Sequence, residues 1–219
     1  MIGIAKLVAL RRVLCVIAVL FAFVMRPHSW HAVAQRRGDQ HQSKSAGKII
    51  QIKDVQGLIP DIEVLNHRGQ RVHLYSDLIK DKVVLLSFFY TRCSYVCAMQ
   101  GATLAKLQQE LAGMRDKVFL ISISMDPRSD TPDKLKQWGR AFHAGPGWTI
   151  VSSDSPEMSR MIKEFTGEET GPRELHSSTV FLGNDRTGEW LATDGLFGPK
   201  TLVSYLKKLS DAGTNKQSN

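Results

Sequence analysis

Apolar and polar positions along this chain fall into blocks whose periods change from one block to the next. An unbroken apolar stretch, Val13 to Met25, gives way to a segment, residues 35–50, that is polar up to Lys48 and reads as a flexible tether. Asp61 to Leu74 reads as two short strands around a turn at Asn66 to Gly69. Lys82 to Tyr90, KVVLLSFFY, is a continuous apolar run of strand length, the signature of a central strand covered on both faces. From Cys97 the spacing turns helical, with Leu104, Leu107 and Leu111 at i, i+3 and i+7. Lys117 to Met125, KVFLISISM, is a second buried strand, closed by Asp126-Pro127. Thr131-Pro132-Asp133 predicts a helix start, with Thr131 as N-cap and Pro132 in the first helical position, running to about His143. WTIVSS is a short strand, and Ser155-Pro156-Glu157 opens another helix towards Phe165 by the same capping logic. STVFLGND and GEWLAT form a hairpin around Asn184 to Gly188, and a last helix from about Pro199 to Leu209 precedes a polar tail, residues 210–219. Strands alternating with helices predict an α/β layered fold over residues 51–209, with reactive groups beyond the carboxyl ends of the central strands.

Composition changes this picture mainly at the N-terminus. A hydrophobic share of 42% and an aromatic share of 8% are ordinary for a chain that buries a full core. The net charge of +8 suggests a nucleic-acid partner until it is located. Residues 1–34 hold Lys6, Arg11, Arg12 and Arg26 and no acid, and without them 25 basic face 21 acidic residues, a net charge of +4. No later stretch interleaves Lys or Arg with stacking aromatics, so nucleic-acid binding is not expected. The first 34 residues read as an address: a positive start, an apolar block of signal-peptide length, and Ala32-Val33-Ala34 before Gln35 as a cleavage pattern. A retained membrane anchor competes, because Arg26 and His28 make the following segment long and polar. A mitochondrial presequence shares the acid-free start, but the compact apolar block favours bacterial export, to the periplasm or the outer face of the inner membrane.

Signal cleavage removes Cys15 and leaves two cysteines, Cys93 and Cys97, where the central strand hands over to a helix. A lone disulfide closing so small a loop would constrain little of the unfolded chain, so the pair is better explained by chemistry than by stability. Residues four apart in a helix share a face, and the unpaired N–H groups and dipole of a first turn favour thiolates there. Two soft thiolates suit Cu(I) or Zn(II). Structural zinc wants four ligands, usually as two pairs, and the chain has no second cysteine pair and no HxxxH. A two-sulfur site completed by one imidazole is an arrangement that copper tolerates. Of the seven histidines, His28 and His31 leave with the signal, His41 lies in the tether, and His67, His73 and His143 read as solvated. His176, in a loop immediately before a buried strand, stays open between ligand and loop residue. Met99 and Met125 read as core beside a buried strand, Asp126 and Asp130 as turn and capping residues, and Trp138, Trp148 and Trp190 as packing.

The ordered series FFYTRCSYVC, SISMDPRSDTP and LHSSTVFLGNDRTG, followed by the final helix, resembles the Sco/SenC family of copper proteins over roughly residues 55–209. The resemblance implies a thioredoxin-like fold, a central mixed sheet flanked by helices with an N-terminal β-hairpin. It implies copper, as Cu(I) or Cu(II), held by Cys93, Cys97 and His176. It also implies a metallochaperone more than a true enzyme, assisting assembly of the binuclear copper centre of cytochrome c oxidase, with some members reducing that centre's cysteines. The partner it implies is the copper-site subunit of cytochrome c oxidase or another copper-accepting protein. The chain departs from the commonest family pattern, which has Pro-Asp between the cysteines, Pro after them and an acid before the histidine. Here those positions hold Ser94, Tyr95, Ala98 and Leu175, which removes carboxylates that act on thiol pKa or on a partner contact.

Three other readings remain. An exported thiol–disulfide oxidoreductase would use Cys93 and Cys97 as a redox dithiol without stable metal, although dedicated oxidoreductases typically use CxxC. A peroxidase is weaker, because Leu86 and Tyr90 stand where a peroxidatic motif has proline and threonine. The plainest is a binding module with an inert disulfide.

Overall fold

In the computed structural model, which describes residues 49–171 and 177–215, the apolar blocks become eight strands and four α-helices. The strands are β1 (Ile50–Ile52), β2 (Glu63–Asn66), β3 (Arg71–His73), β4 (Val83–Phe89), β5 (Val118–Ser124), β6 (Trp148–Ser152), β7 (Thr179–Asn184) and β8 (Glu189–Asp194). The helices are α1 (Val96–Glu110), α2 (Pro132–Ala141), α3 (Pro156–Thr166) and α4 (Pro199–Asn215). One mixed sheet runs in the order β1-β8-β7-β4-β5-β6-β2-β3. Its centre, β4-β5-β6, is parallel, and the remaining pairings are antiparallel. This is the thioredoxin-like arrangement expected, with the β2–β3 hairpin at one edge.

All seven residues of β4 are buried, and a strand's period of two sends them alternately to two layers. Val83, Leu85 and Phe89 join a core with Leu104 and Leu107 of α1, Leu135 of α2 and Leu202 and Leu206 of α4. Val84, Leu86 and Phe88 join a second core with Met158, Met161 and Ile162 of α3. The continuous apolar run is thus read correctly: helices cover both faces. Two serines and a tryptophan of the first core satisfy one another, since the Ser87 and Ser122 hydroxyls lie 2.8 Å apart and Trp148 Nε1 donates to Ser122 Oγ at 3.0 Å. Trp138, Trp148 and Trp190 are buried, as expected of packing residues.

Four local features differ from the pattern read along the sequence. Strand β1 begins inside the supposed tether and pairs Ile50–Ile52 with Trp190–Ala192; it is too short and too exposed to carry a periodic signal. Helix α4 continues past Leu209 to Asn215, held by Asn184, whose Nδ2 donates to the Leu209 carbonyl at 2.7 Å. Thr131 adopts the extended N-cap conformation, but its hydroxyl makes no capping bond, whereas Ser155 Oγ accepts the Met158 N–H at 3.1 Å as predicted. His67 is not solvated. It is only 7% exposed, because the β2–β3 turn folds onto β6 and its Nδ1 accepts the Ile150 N–H at 3.2 Å. Burial, aided by nearby Arg68, holds its pKa below the usual imidazole value.

The expectations for residues 1–48, Leu175 and His176 fall outside the described residues. Among the described residues no helix is long and apolar enough to cross a membrane.

Gly183 of β7 faces Trp190 of β8, and a Cβ at Gly183 would overlap the indole ring. Gly183→Ala should therefore lower stability by about 1–3 kcal/mol, the usual range for overpacking, measured as a fall in the urea midpoint at unchanged m-value.

Candidate metal centre

The carboxyl ends of β4 and β5 lie side by side because the strands are parallel, with Phe89 opposite Ser124. After β5 the chain turns at Asp126, whose carbonyl accepts the N–H groups of Ser129 and Asp130. That turn aims two carboxylates at the chain leaving β4. Asp130, 1% exposed, accepts the Thr91 N–H through both oxygens (3.2 and 3.1 Å), the Thr91 hydroxyl, and the Ser124 hydroxyl at 2.7 Å. Asp126, also buried, accepts from Arg92 at 2.9 Å. The turn role expected for these aspartates is present, but their carboxylates do more: they fix Thr91-Arg92, the dipeptide that leads into Cys93. The available signal was a Thr-Arg pair ahead of the first cysteine and two aspartates after the neighbouring strand.

Cys93 follows in a turn closed by its own N–H to the Tyr90 carbonyl at 3.1 Å. Helix α1 then starts at Val96, so Cys97 sits in its first turn while Cys93 precedes it, rather than both sharing that turn. The N-cap residue Tyr95 supplies no side-chain bond, and the Cys97 N–H goes instead to Cys93 Sγ at 3.2 Å. A sulfur thus takes one of the donors that a helix start leaves unpaired. Cys93 is half-buried, Cys97 is fully buried behind it, and neither forms a disulfide.

The helix start was expected to favour thiolates. At Cys97 burial overrides it: desolvation pushes the thiol pKa far up, and the Cys93 sulfur adds to the rise. A hydrogen bond involving the Tyr90 backbone acts the other way without reversing the shift. Of the two methionines, Met125 is core at 1% exposure, but Met99 is 45% exposed beside Tyr95 at 71%. The buried face of α1 is occupied by Cys97, Gln100, Gly101, Leu104 and Leu107, which turns Met99 outward.

His176 lies outside the described residues, but the segments on either side of it are tied to this end of the sheet. Upstream, the Gly171 N–H donates to the Met125 carbonyl at 2.7 Å, and the Met125 N–H donates to Phe89 at 2.7 Å. Downstream, the Ser178 carbonyl accepts Gln100 Nε2 at 3.1 Å and the Gly195 N–H at 2.8 Å. Strand β7 runs antiparallel to β4, not parallel to it, with Val180 opposite Ser87, so it begins where β4 delivers Cys93. Gln100, one turn after Cys97 and 1% exposed, is a residue that sequence reasoning passed over. Its signal was a polar side chain at i+3 from the second cysteine on an otherwise apolar helix face. Among the described residues no three His, Cys, Asp or Glu side chains converge as a metal-ligand set. His73 and His143 are exposed, as expected.

Removing the Asp130 carboxylate would strand the Thr91 amide and the Ser124 hydroxyl. Asp130→Ala should cost about 1–3 kcal/mol for each buried polar group left unpaired, read in urea unfolding. Amide hydrogen exchange at Thr91 should accelerate beyond the rate that global destabilisation explains.

Residues 52–209 match the SCO1/SenC family model. The SCO1 protein homolog of Bacillus subtilis is 36% identical over 127 residues, covering 53% of this chain and 63% of that relative's length. The solved structure of BsSco, described as a member of the Sco family of cytochrome c oxidase assembly proteins with a disulfide switch, is 25% identical at a TM-score of 0.59. That likeness covers 69% of this chain and 92% of BsSco. Bradyrhizobium japonicum ScoI, solved with copper bound, agrees in fold at a TM-score of 0.54 and 23% identity, over 67% of this chain and 96% of its own. Because the family model spans β4 to β8 and both thiols, and the topology agrees with solved relatives, the chain belongs to the SCO1/SenC family.

Proposed function

We propose that this chain carries a copper ion on Cys93, Cys97 and His176 and delivers it to a copper-accepting protein, the copper-site subunit of cytochrome c oxidase being the client that its relatives suggest. The observation that carries the reading is the pairing of a half-buried sulfur, Cys93, with a fully buried one, Cys97, at the carboxyl end of the central strand. Two sulfur donors fit a soft monovalent ion and do not by themselves fill a structural zinc site. A third donor is needed. The bond from Gln100 to Ser178, one helical turn from Cys97, ties the chain that follows position 176 to the helix that carries the second thiol, which supports His176 as that donor. In this reading residues 1–34 serve as signal or anchor, residues 35–50 as the lead into the domain, and transfer takes place outside the cytoplasm.

Copper is the cargo, and the residues of the chain govern its exchange. Cys97 gives up its proton when metal arrives and takes one back when metal leaves. Cys93, the more accessible sulfur, is where a competing ligand from a client would first attack, flanked by exposed Tyr95 and Met99. Asp130 and Asp126 keep the Thr91-Arg92 lead-in fixed through both states.

A thiol–disulfide reductase is the second reading, favoured by the same arrangement of an accessible thiol backed by a buried one. Against it, a resolving thiol must ionise to attack, and burial keeps Cys97 protonated.

Copper titration of the reduced protein separates the two. The wild type should bind about one Cu(I) per chain. Cys93→Ser combined with Cys97→Ser should abolish that binding. His176→Ala should weaken it by at least the roughly 10–100-fold that loss of a ligand-orienting partner costs, while leaving any disulfide reductase activity intact. Undiminished copper retention in the double variant would sink the proposal. Because Cys97 must lose a proton, apparent Cu(I) affinity should rise with pH, about tenfold per unit for each proton released, in chelator competition between about pH 6 and about pH 8. The apo fold carries the opposite linkage. The raised folded-state pKa gives stability that is fully present below the ordinary thiol range and is lost as the pH climbs through and above it.

A further inference from the structure

At the other end of α2, away from the thiols, the β2–β3 turn and the last turn of that helix border an open concavity of about 490 Å³. We propose that this concavity is a binding site for a phosphate-class anion, free phosphate or a phosphate-bearing headgroup. Its charged and titratable lining comes from separate elements: His67 and Arg68 from the turn, Lys136 and Arg140 from α2, and His143 from the segment after it. No acidic residue lines it, and Arg68, Lys136 and Arg140 form no ion pair among the described residues. Lys136 and Arg140 stand four apart on one helix face, where cations near a C-terminus also complement the macrodipole. That role accounts for two charges of the helix but not for an arginine and two imidazoles brought to them by other segments.

The walls are fixed independently of any ligand. Asn66, 4% exposed, locks the turn by accepting the Arg68 and Gln70 N–H groups through Oδ1 at 2.9 and 3.0 Å. Gln108 of α1 clamps the far rim, donating to the His143 carbonyl at 3.0 Å and accepting the Gly145 N–H at 2.7 Å. His143 holds a left-handed conformation, φ 55°, at the helix end. The His67 imidazole lies under α2, where a Cβ on Gly139 would meet its ring at 3.4 Å, ordinary contact distance, and Ile150 Cδ1 at 2.9 Å. Since His67 Nδ1 accepts from Ile150, its proton resides on Nε2, so the lining pairs a neutral imidazole with the Arg68, Lys136 and Arg140 cations. Arginine forks plus a fixed neutral donor form the set that recognises tetrahedral oxyanions. Three of the helix-end carbonyls that would repel one already accept bonds: Trp138, Gly139 and Arg140 accept from Phe142, Ala144 and His143.

Acylation of histidine by diethyl pyrocarbonate, read site by site by mass spectrometry on the full chain, tests this. His143 and His73 are both exposed, and His73, across the β2–β3 hairpin, is the internal control. Inorganic phosphate should slow acylation of His143 about tenfold at ten times its dissociation constant, by mass action, and leave His73 unchanged. Lys136→Glu with Arg140→Glu, both exposed and so compatible with folding, should remove the protection. With the full chain in phosphatidylcholine vesicles, protection on adding phosphatidylglycerol identifies a headgroup as the source. Protection by soluble phosphate alone identifies the free ion. Equal slowing at His73, equal slowing by chloride at matched ionic strength, or protection that survives the charge reversal would each overturn the site.

Discussion

The buried carboxylate of Asp130 joins two parallel strand ends that would otherwise share only their ladder. Its oxygens take the backbone and hydroxyl of Thr91 on one side and the hydroxyl of Ser124 on the other. A carboxyl group taken out of water carries a large desolvation cost unless each oxygen is hydrogen-bonded, and here all the donors come from the two strand ends themselves. The arrangement is therefore self-enforcing: Asp130 can be buried only if Thr91 is in position, and Thr91 fixes where Cys93 begins. The Arg92–Asp126 pair repeats the same connection nearer to solvent.

From that anchor the thiol pair acquires its asymmetry. Cys93 remains in the turn, within reach of solvent, while the first turn of α1 carries Cys97 into the core. The two effects acting on Cys97 oppose one another. A helix N-terminus favours the thiolate, and apolar surroundings favour the thiol; burial wins because the side chain is packed among core residues. A protonated buried sulfur stabilises the empty protein and becomes a soft ligand only when a cation displaces its proton. The same packing thus makes the empty state robust and the loaded state sensitive to pH.

The central sheet supplies a second form of economy. A parallel β4–β5–β6 core brings successive loops to one end, and antiparallel β7 returns its starting end there, so four segments distant in sequence meet. At the opposite end of α2 the same sheet brings the β2–β3 turn against the helix terminus and gathers basic groups from three segments. The two ends are chemically unlike, sulfur at one and cationic nitrogen at the other.

Much of this was legible from residue order. The seven-residue apolar run of β4, the period of α1, the Pro-marked starts of α2 and α3 and the Cys93–Cys97 spacing are local patterns, and local backbone preference fixes them. The motifs at both cysteines and after β5 also carried the family. What sequence could not supply is which side chains face one another across elements. His67 looked like a turn residue and is buried, because only the docking of the hairpin on β6 gives Nδ1 the Ile150 amide. Met99 looked like core and faces out, because the register of α1 is set by Cys97 and Gln100 facing inward. Asp130 looked like a cap and is a cross-strand anchor, because its partner lies 39 positions away. Periodicity records how one segment meets an apolar layer; the pairing of single polar atoms and the desolvation of a thiol depend on several segments at once, and only tertiary packing decides them.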